Sequence, residues 1–150
     1  MPKFDLVVST DVKRTARVLQ LEGYKGHPIA FFSVLHWPHP TASRWRGHRV
    51  VCLPDYQGIG IGNVLCDFVA GMYLATGKPF TIVTSSPARI SYLSRSKTWD
   101  MRSGPGLQPK IGQTAKVGLE KYLATNRLTA SFDYVGPVNK EDAKRFGVIK

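Results

Sequence analysis

Apolar positions change their spacing several times along this chain, and each change marks an element. Ala16 to Glu22 alternates apolar with polar side chains, the period of a half-buried strand. Gly23-Tyr24-Lys25-Gly26 is turn chemistry. Ile29 to Leu35 is apolar almost throughout, so it reads as a central strand, in a hairpin with 16–22. Pro38 and Pro40 end it. Residues 41–47 read as a basic connector before a strand at 48–53. From Ile61 the period becomes helical: Ile61, Leu65, Phe68, Val69, Met72 and Tyr73 form one face of a helix predicted over Ile61–Thr76, with Gly77 just past its end.

Phe80–Thr84 is predicted as a strand, 88–95 as a short helix and Trp99–Arg102 as a short strand. Residues 103–115, rich in Gly, Pro, Gln and Lys, read as a loop, and Lys116–Ala124 as a short helix. Arg127–Val135 alternates as a final strand, Gly136-Pro137 stops it, and one helical turn is expected near Asp142–Phe146. Phe4–Val8 supplies a first strand, with only residues 1–15 ahead of the hairpin. The order predicts a single α/β (α+β) domain over 1–150 with a mixed sheet, antiparallel hairpins and one main helix.

Between the strand at 48–53 and that helix lies Gln57-Gly58-Ile59-Gly60-Ile61-Gly62. A glycine turn entering a helix presents main-chain N–H groups and a partial positive charge, which suits a phosphate. The dinucleotide fingerprint G-x-G-x-x-G fails, because its sixth position is Asn63 or Leu65. The P-loop fails as well: Gly71 lies one residue too far from Gly77-Lys78, and Pro79 stands where Ser or Thr is needed.

Leu53-Pro54-Asp55-Tyr56-Gln57-Gly58-Ile59-Gly60-Ile61-Gly62 resembles the acyl-CoA pyrophosphate loop of the GNAT superfamily of N-acetyltransferases, with Gln57, Gly60 and Gly62 in its defining places. Downstream, Ser85-Ser86-Pro87-Ala88-Arg89-Ile90-Ser91-Tyr92 keeps Ala88 and Tyr92 in register with that superfamily's Asn-x-x-Ala-x-x-x-Tyr, with Ser85 in place of Asn. The resemblance implies a GNAT-like fold, acetyl-CoA as cofactor, and Gln57 to Asn63, Ser85 and Ala88 in its binding. It implies a bulged strand whose amide near Cys52 or Leu53 polarises the thioester carbonyl. Tyr92 takes the place of the acid that protonates the departing thiolate; a tyrosine keeps its proton at neutral pH.

The base is less plain. Counting back by twos from Cys52 gives Val50, His48 and Arg46 on one face, with no carboxylate, so His48 is the candidate, histidine being able to accept a proton near neutral pH. GNAT domains usually open with a strand and two helices that wall the acceptor site, for which residues 1–15 leave little length. Either the acceptor groove is open, or another subunit or a large substrate closes it.

Charge then narrows the partners. The chain carries a net +11, distributed as +5 over residues 1–50, −1 over 51–85, +6 over 86–127 and +1 over 128–150. A neutral cofactor core with basic flanks, including the loop at 103–127 and the tail at 137–150, points to an anionic partner. Trp37, Arg44, Trp45, Arg46 and Arg49 form a basic-aromatic cluster suited to nucleic acid or to an acceptor, and Lys110, Lys116, Lys121 and Arg127 extend the charge. The expected function is acetyl transfer from acetyl-CoA to an amine on a macromolecule, nucleic acid or a protein bound to it. The alternatives are a non-catalytic nucleic-acid-binding module on the same scaffold, and a subunit whose site a partner completes.

Cys52 and Cys66 read as reduced, buried thiols of a cytoplasmic protein. His36 and His39 lack the company a metal needs, no apolar run is long enough to cross a membrane, and Met1-Pro2-Lys3-Phe4-Asp5 is not a secretory signal.

Overall fold

Apolar side chains on both faces force a strand into the interior of a sheet, and Pro28–Trp37 is such a strand, with Ile29, Ala30, Phe32 and Val34 buried. A computed structural model describes residues 3–8, 16–22, 27–107 and 128–150. The strands are β1 (Lys3–Val8), β2 (Ala16–Glu22), β3 (Pro28–Trp37), β4 (Arg44–Cys52), β5 (Phe80–Thr84), β6 (Trp99–Leu107) and β7 (Leu128–Tyr134). They form one seven-stranded sheet in the order β1-β2-β3-β4-β5-β7-β6. Every neighbouring pair is antiparallel except β4 and β5, which run parallel because helix α1 (Ile61–Leu74) crosses between them. Helix α2 (Pro87–Arg95) joins β5 to β6, and α3 (Lys140–Arg145) follows β7.

The helix α1 face predicted from spacing packs on the sheet through Leu65, Val69, Met72 and Tyr73, each at most 1% exposed. Burying each of the larger of these contributes roughly 1.5–3 kcal/mol. Opposite them lie Phe32 and Val34 of β3, Phe80 and Ile82 of β5, and Phe132 of β7. Polar ties fix the helix in place. Asp67 accepts from the Trp99 indole at 2.6 Å and from Thr98 at 3.2 Å, and the Trp45 indole donates to Thr76 at 2.8 Å. A Cβ on Gly71 would come within 2.9 Å of the Pro137 carbonyl, so glycine lets the segment before α3 lie against α1, where the Asn139 amide bonds the Gly71 carbonyl. Left-handed Gly77, φ +79, closes the helix.

Several sequence-based boundaries move. The connector expected at 41–47 is already β4 from Arg44, because Arg44, Trp45 and Arg46 alternate between faces: Trp45 meets Tyr73 edge-on with ring centroids 4.9 Å apart, while Arg44 and Arg46 point away from α1. The strand expected over Trp99–Arg102 continues to Leu107, so residues 103–107 of the expected loop are strand; an edge strand tolerates Pro105. The turn at Gly23–Gly26 and the helix at Lys116–Ala124 lie outside the described residues.

Candidate active site

The strands β4 and β5 pair only at Trp45↔Phe80, Arg46↔Thr81 and Gly47↔Ile82. Beyond Gly47 they share no bridge, leaving the β5 side of β4 without a strand partner among the described residues. Gly47 permits this vertex to be tight: a Cβ there would lie 2.7 Å from the Phe32 ring and 2.8 Å from Ile82. The gap opens into a cleft of about 660 Å³ lined by β4, β5, the glycine loop and α2.

At the next residue β4 bulges. Ser33 pairs with Arg49 but Val34 pairs with Gly47, so His48 is the extra residue. The bulge resets the alternation. Gly47 and Val50 both face α1, and Val50 and Cys52 lie under Gly62, whereas Arg46 faces the other way. Placing Val50, His48 and Arg46 on one face by counting in twos therefore fails. The irregularity sits at His48, not near Cys52 or Leu53, and the Leu53 amide is spent on the Ile29 carbonyl at 2.8 Å.

At the cleft mouth a 3-10 turn, Pro54–Tyr56, leads into the glycine loop. Gly58 and Gly60 hold φ of +80 and +89, a conformation that favours glycine, and open space surrounds the position of a Cβ on either. Gly60 caps α1 without a side-chain bond. The hydrogen bonds described for this loop use the amides of Gln57, Asn63 and Val64 and none from Gly58 to Gly62. The Gln57 side chain donates to the Cys52 carbonyl at 2.9 Å, tying the loop to the strand end.

The cleft gathers His48, Gln57, Gly58, Asn63, Ala88 and Tyr92 from the sequence-based candidates, and adds Arg49, which the sequence grouped with an acceptor surface. Tyr92 is 42% exposed. Ile59, Gly60, Ile61 and Gly62 form the loop and helix start beside the cleft rather than its lining, as Cys52 and Leu53 form the strand end. Ser85 lies outside the lining; its neighbour Ser86 lines the cleft and caps α2 by accepting from the Arg89 amide. The Ser-Pro pair at 86–87, an N-cap followed by proline at N1, is the signal that distinguishes the two serines.

Arg89 also lines the cleft and had no place in the sequence-based set. Its guanidinium donates to Cys66 Sγ at 3.1 Å. Burial pushes the Cys66 thiol up to about 12, against the opposing pull of Arg89. Burial also raises Cys52, and Arg89 again opposes it. Both cysteines are free. His48, Arg49 and Arg89 line the cleft and, among the described residues, no carboxylate does, so its charge suits a polyanion.

The basic-aromatic cluster is divided by the sheet. Trp45 belongs to the α1 side, Arg49 to the cleft, and Arg44 and Arg46 to the opposite face. Lys110, Lys116, Lys121 and Arg127 lie outside the described residues. Among the described residues no group of three or more His, Cys, Asp or Glu is placed to hold a metal, and no helix is long and apolar enough to cross a membrane.

No family model matches the sequence, and no curated protein matches it. Solved structures do match the fold. A GNAT family acetyltransferase from Elizabethkingia anophelis, with acetyl-CoA bound, aligns over 89% of this chain and 95% of its own at 10% identity, TM-score 0.57. A Klebsiella pneumoniae protein assigned as an acyl-CoA N-acyltransferase aligns over 87% and 96% at 11% identity, TM-score 0.57. A mutant form of the toxin AtaT, bound to the C-terminus of the antitoxin AtaR and to acetyl-CoA, aligns over 99% of both chains at 8% identity, TM-score 0.51. Likenesses at this level of identity speak to the fold: the chain has the fold of the GNAT acetyltransferases.

Proposed function

We propose that the protein is an N-acetyltransferase that moves an acetyl group from acetyl-CoA to an amine. One observation carries the reading: the loop amides of Gly58 to Gly62 sit at the mouth of a cation-lined cleft that runs along the unpaired side of β4. These residues fit CoA. Main-chain N–H groups at a helix start bind a diphosphate, and Arg49 and Arg89 oppose its charge. An unpaired strand edge offers N–H and C=O groups to an extended, amide-bearing arm, as an added strand would.

Acetyl-CoA, when bound, supplies the acyl thioester. The bulge at His48 takes one residue of β4 out of the ladder with β3, which gives a main-chain donor beside the cleft for a polarised carbonyl oxygen. His48 accepts the proton that the attacking amine sheds, and Tyr92 gives its Oη proton to the departing sulfur. Two of the structures that share the fold carry acetyl-CoA, which supports the cofactor assignment. A macromolecular acceptor suits the short β1–β2 connection, residues 9–15, which leaves little chain to wall in a small one.

Calorimetric titration of the full chain with CoA tests the reading. One-to-one binding is expected, weakened about tenfold or more when loop amides are re-aimed by Gly60→Ala. No binding at millimolar CoA overturns it.

A further inference from the structure

Behind the sheet, on the face away from α1, lies a second cleft of about 320 Å³. Its lining includes Trp37 at the end of β3, Arg44 and Arg46 of β4, Thr81 of β5, Arg102 of β6 and Ser131 of β7. The two clefts meet at the vertex, where the pairing of β4 with β5 ends. Val83 lines both, and Arg46 of the rear cleft directly precedes Gly47 and His48 of the front one. A molecule seated behind the sheet therefore lies next to the gap between β4 and β5.

The charge of the rear cleft is one-sided. Arg44 is occupied: its guanidinium donates to Thr81 at 3.0 Å and stands 3.7 Å from Asp133, which Thr81 also bonds. Arg46 lies over the Trp37 ring, 4.9 Å from its centroid, and has no carboxylate partner among the described residues; nor has Arg102. Asp100 pairs across the ladder with Asp133, so it shares that end of the face, and neither lines the cleft. Trp37 is 47% exposed, leaving part of its ring open. Two unpaired guanidiniums beside an exposed indole recognise an anionic group, with the flat faces of Arg46 and Trp37 holding what is attached to it.

The volume sets the size. At about 30 Å³ per water, the cleft holds on the order of ten water-sized groups. That is an anionic head and a short arm, not the body of a polymer.

We infer that the rear cleft is the acceptor subsite and that the acceptor is an amine bearing a phosphate or carboxylate a few bonds from its nitrogen. This rests on the acetyltransferase reading. The anion takes no part in the bond changes; Arg46 and Arg102 hold it while the amine faces the gap beside Val83. A free metabolite and the anionic end of a larger molecule share this chemistry.

The test uses the full chain with CoA saturating the front cleft. Acetyl transfer is compared between O-phosphoethanolamine and ethanolamine, and between an amine-tagged oligonucleotide and the same amine without it. In parallel, O-phosphoethanolamine binding is followed by tryptophan fluorescence. The phosphate-bearing amine is expected to be preferred by about tenfold to a hundredfold in kcat/KM. Arg46→Gln with Arg102→Gln collapses that preference towards one and removes the binding, while the two lysine replacements restore part of both. Preference in the small pair alone identifies a metabolite, and preference in the oligonucleotide pair a polymer end. Equal rates within both pairs, or binding that survives the double glutamine variant, overturn the inference. Absence of CoA binding defeats the acetyltransferase reading; fluorescence loss in the double variant still reports whether the rear cleft takes the anion.

Discussion

Replacing Gly47 with alanine tests the packing at the vertex where β4 and β5 part. The added methyl would lie 2.7 Å from Phe32 Cζ and 2.8 Å from Ile82 Cγ2, about 1 Å inside ordinary carbon–carbon contact. Both neighbours are nearly buried and can yield only towards the cleft that they line. Phe32 is 1% exposed, with its ring 6.1 Å from that of Phe80, and Ile82 is 4% exposed. Overpacking of this kind costs about 1–3 kcal/mol, which for a domain of this length is a fall of roughly 2–10 °C in Tm. Thermal and urea unfolding give the stability, and calorimetry gives the accompanying fall in CoA affinity, since Phe32, Gly47 and Ile82 all line the front cleft. Shortening Phe32 to leucine in the same chain should recover part of the loss, so that the two changes are not additive. A Gly47→Ala protein as stable as the parent, or strict additivity with Phe32→Leu, would refute the packing argument.

The glycines of the loop should separate. Gly60→Ala forces a left-handed residue to carry a side chain, costs about 1–2 kcal/mol and weakens CoA binding. Gly62→Ala, whose methyl meets Cys52 Sγ at 3.4 Å, should fold as well as the parent or gain about 0.5–1 kcal/mol; equal effects on CoA binding would contradict the assignment of the open amides. Tyr92→Phe should lower kcat about a hundredfold with acetyl-CoA affinity nearly unchanged, and a parallel loss of both would remove the acid role. The raised Cys66 thiol keeps its proton in the native state while the unfolded chain releases it above pH 9. Its contribution is complete below pH 9 and falls by roughly 1.4 kcal/mol per pH unit towards pH 12. Cys66→Ala should flatten the alkaline limb of a denaturation-midpoint profile, and identical limbs would contradict it. Asp67→Ala frees the Trp99 indole and should cost about 1–3 kcal/mol in urea unfolding.

Much of this architecture was legible because the apolar period carries it. The α1 stripe, the β3 run and the alternation of β7 are patterns that burial alone enforces. The start of β4 was hidden because Arg44 and Arg46 read as solvent-facing loop, although Trp45 between them faces the helix. The bulge at His48 left no mark in the sequence: an extra residue in a ladder is defined by its partner strand, and Val34 and Ser33 lie far along the chain. For the same reason the cleft was partly legible. His48, Gln57 and Tyr92 came from local pattern, whereas Arg89 belongs to it through the fold, with Cys66 behind it.

The extra residue at His48 also constrains how this chain can change. A chain lacking that single codon would bring Trp45, Gly47, Val50 and Cys52 to every second position, so their inward faces would survive while the ladder with β3 became regular. Losing one amino acid here would thus spare the oily layer and straighten the strand, and what would disappear is the irregularity at the vertex of the front cleft.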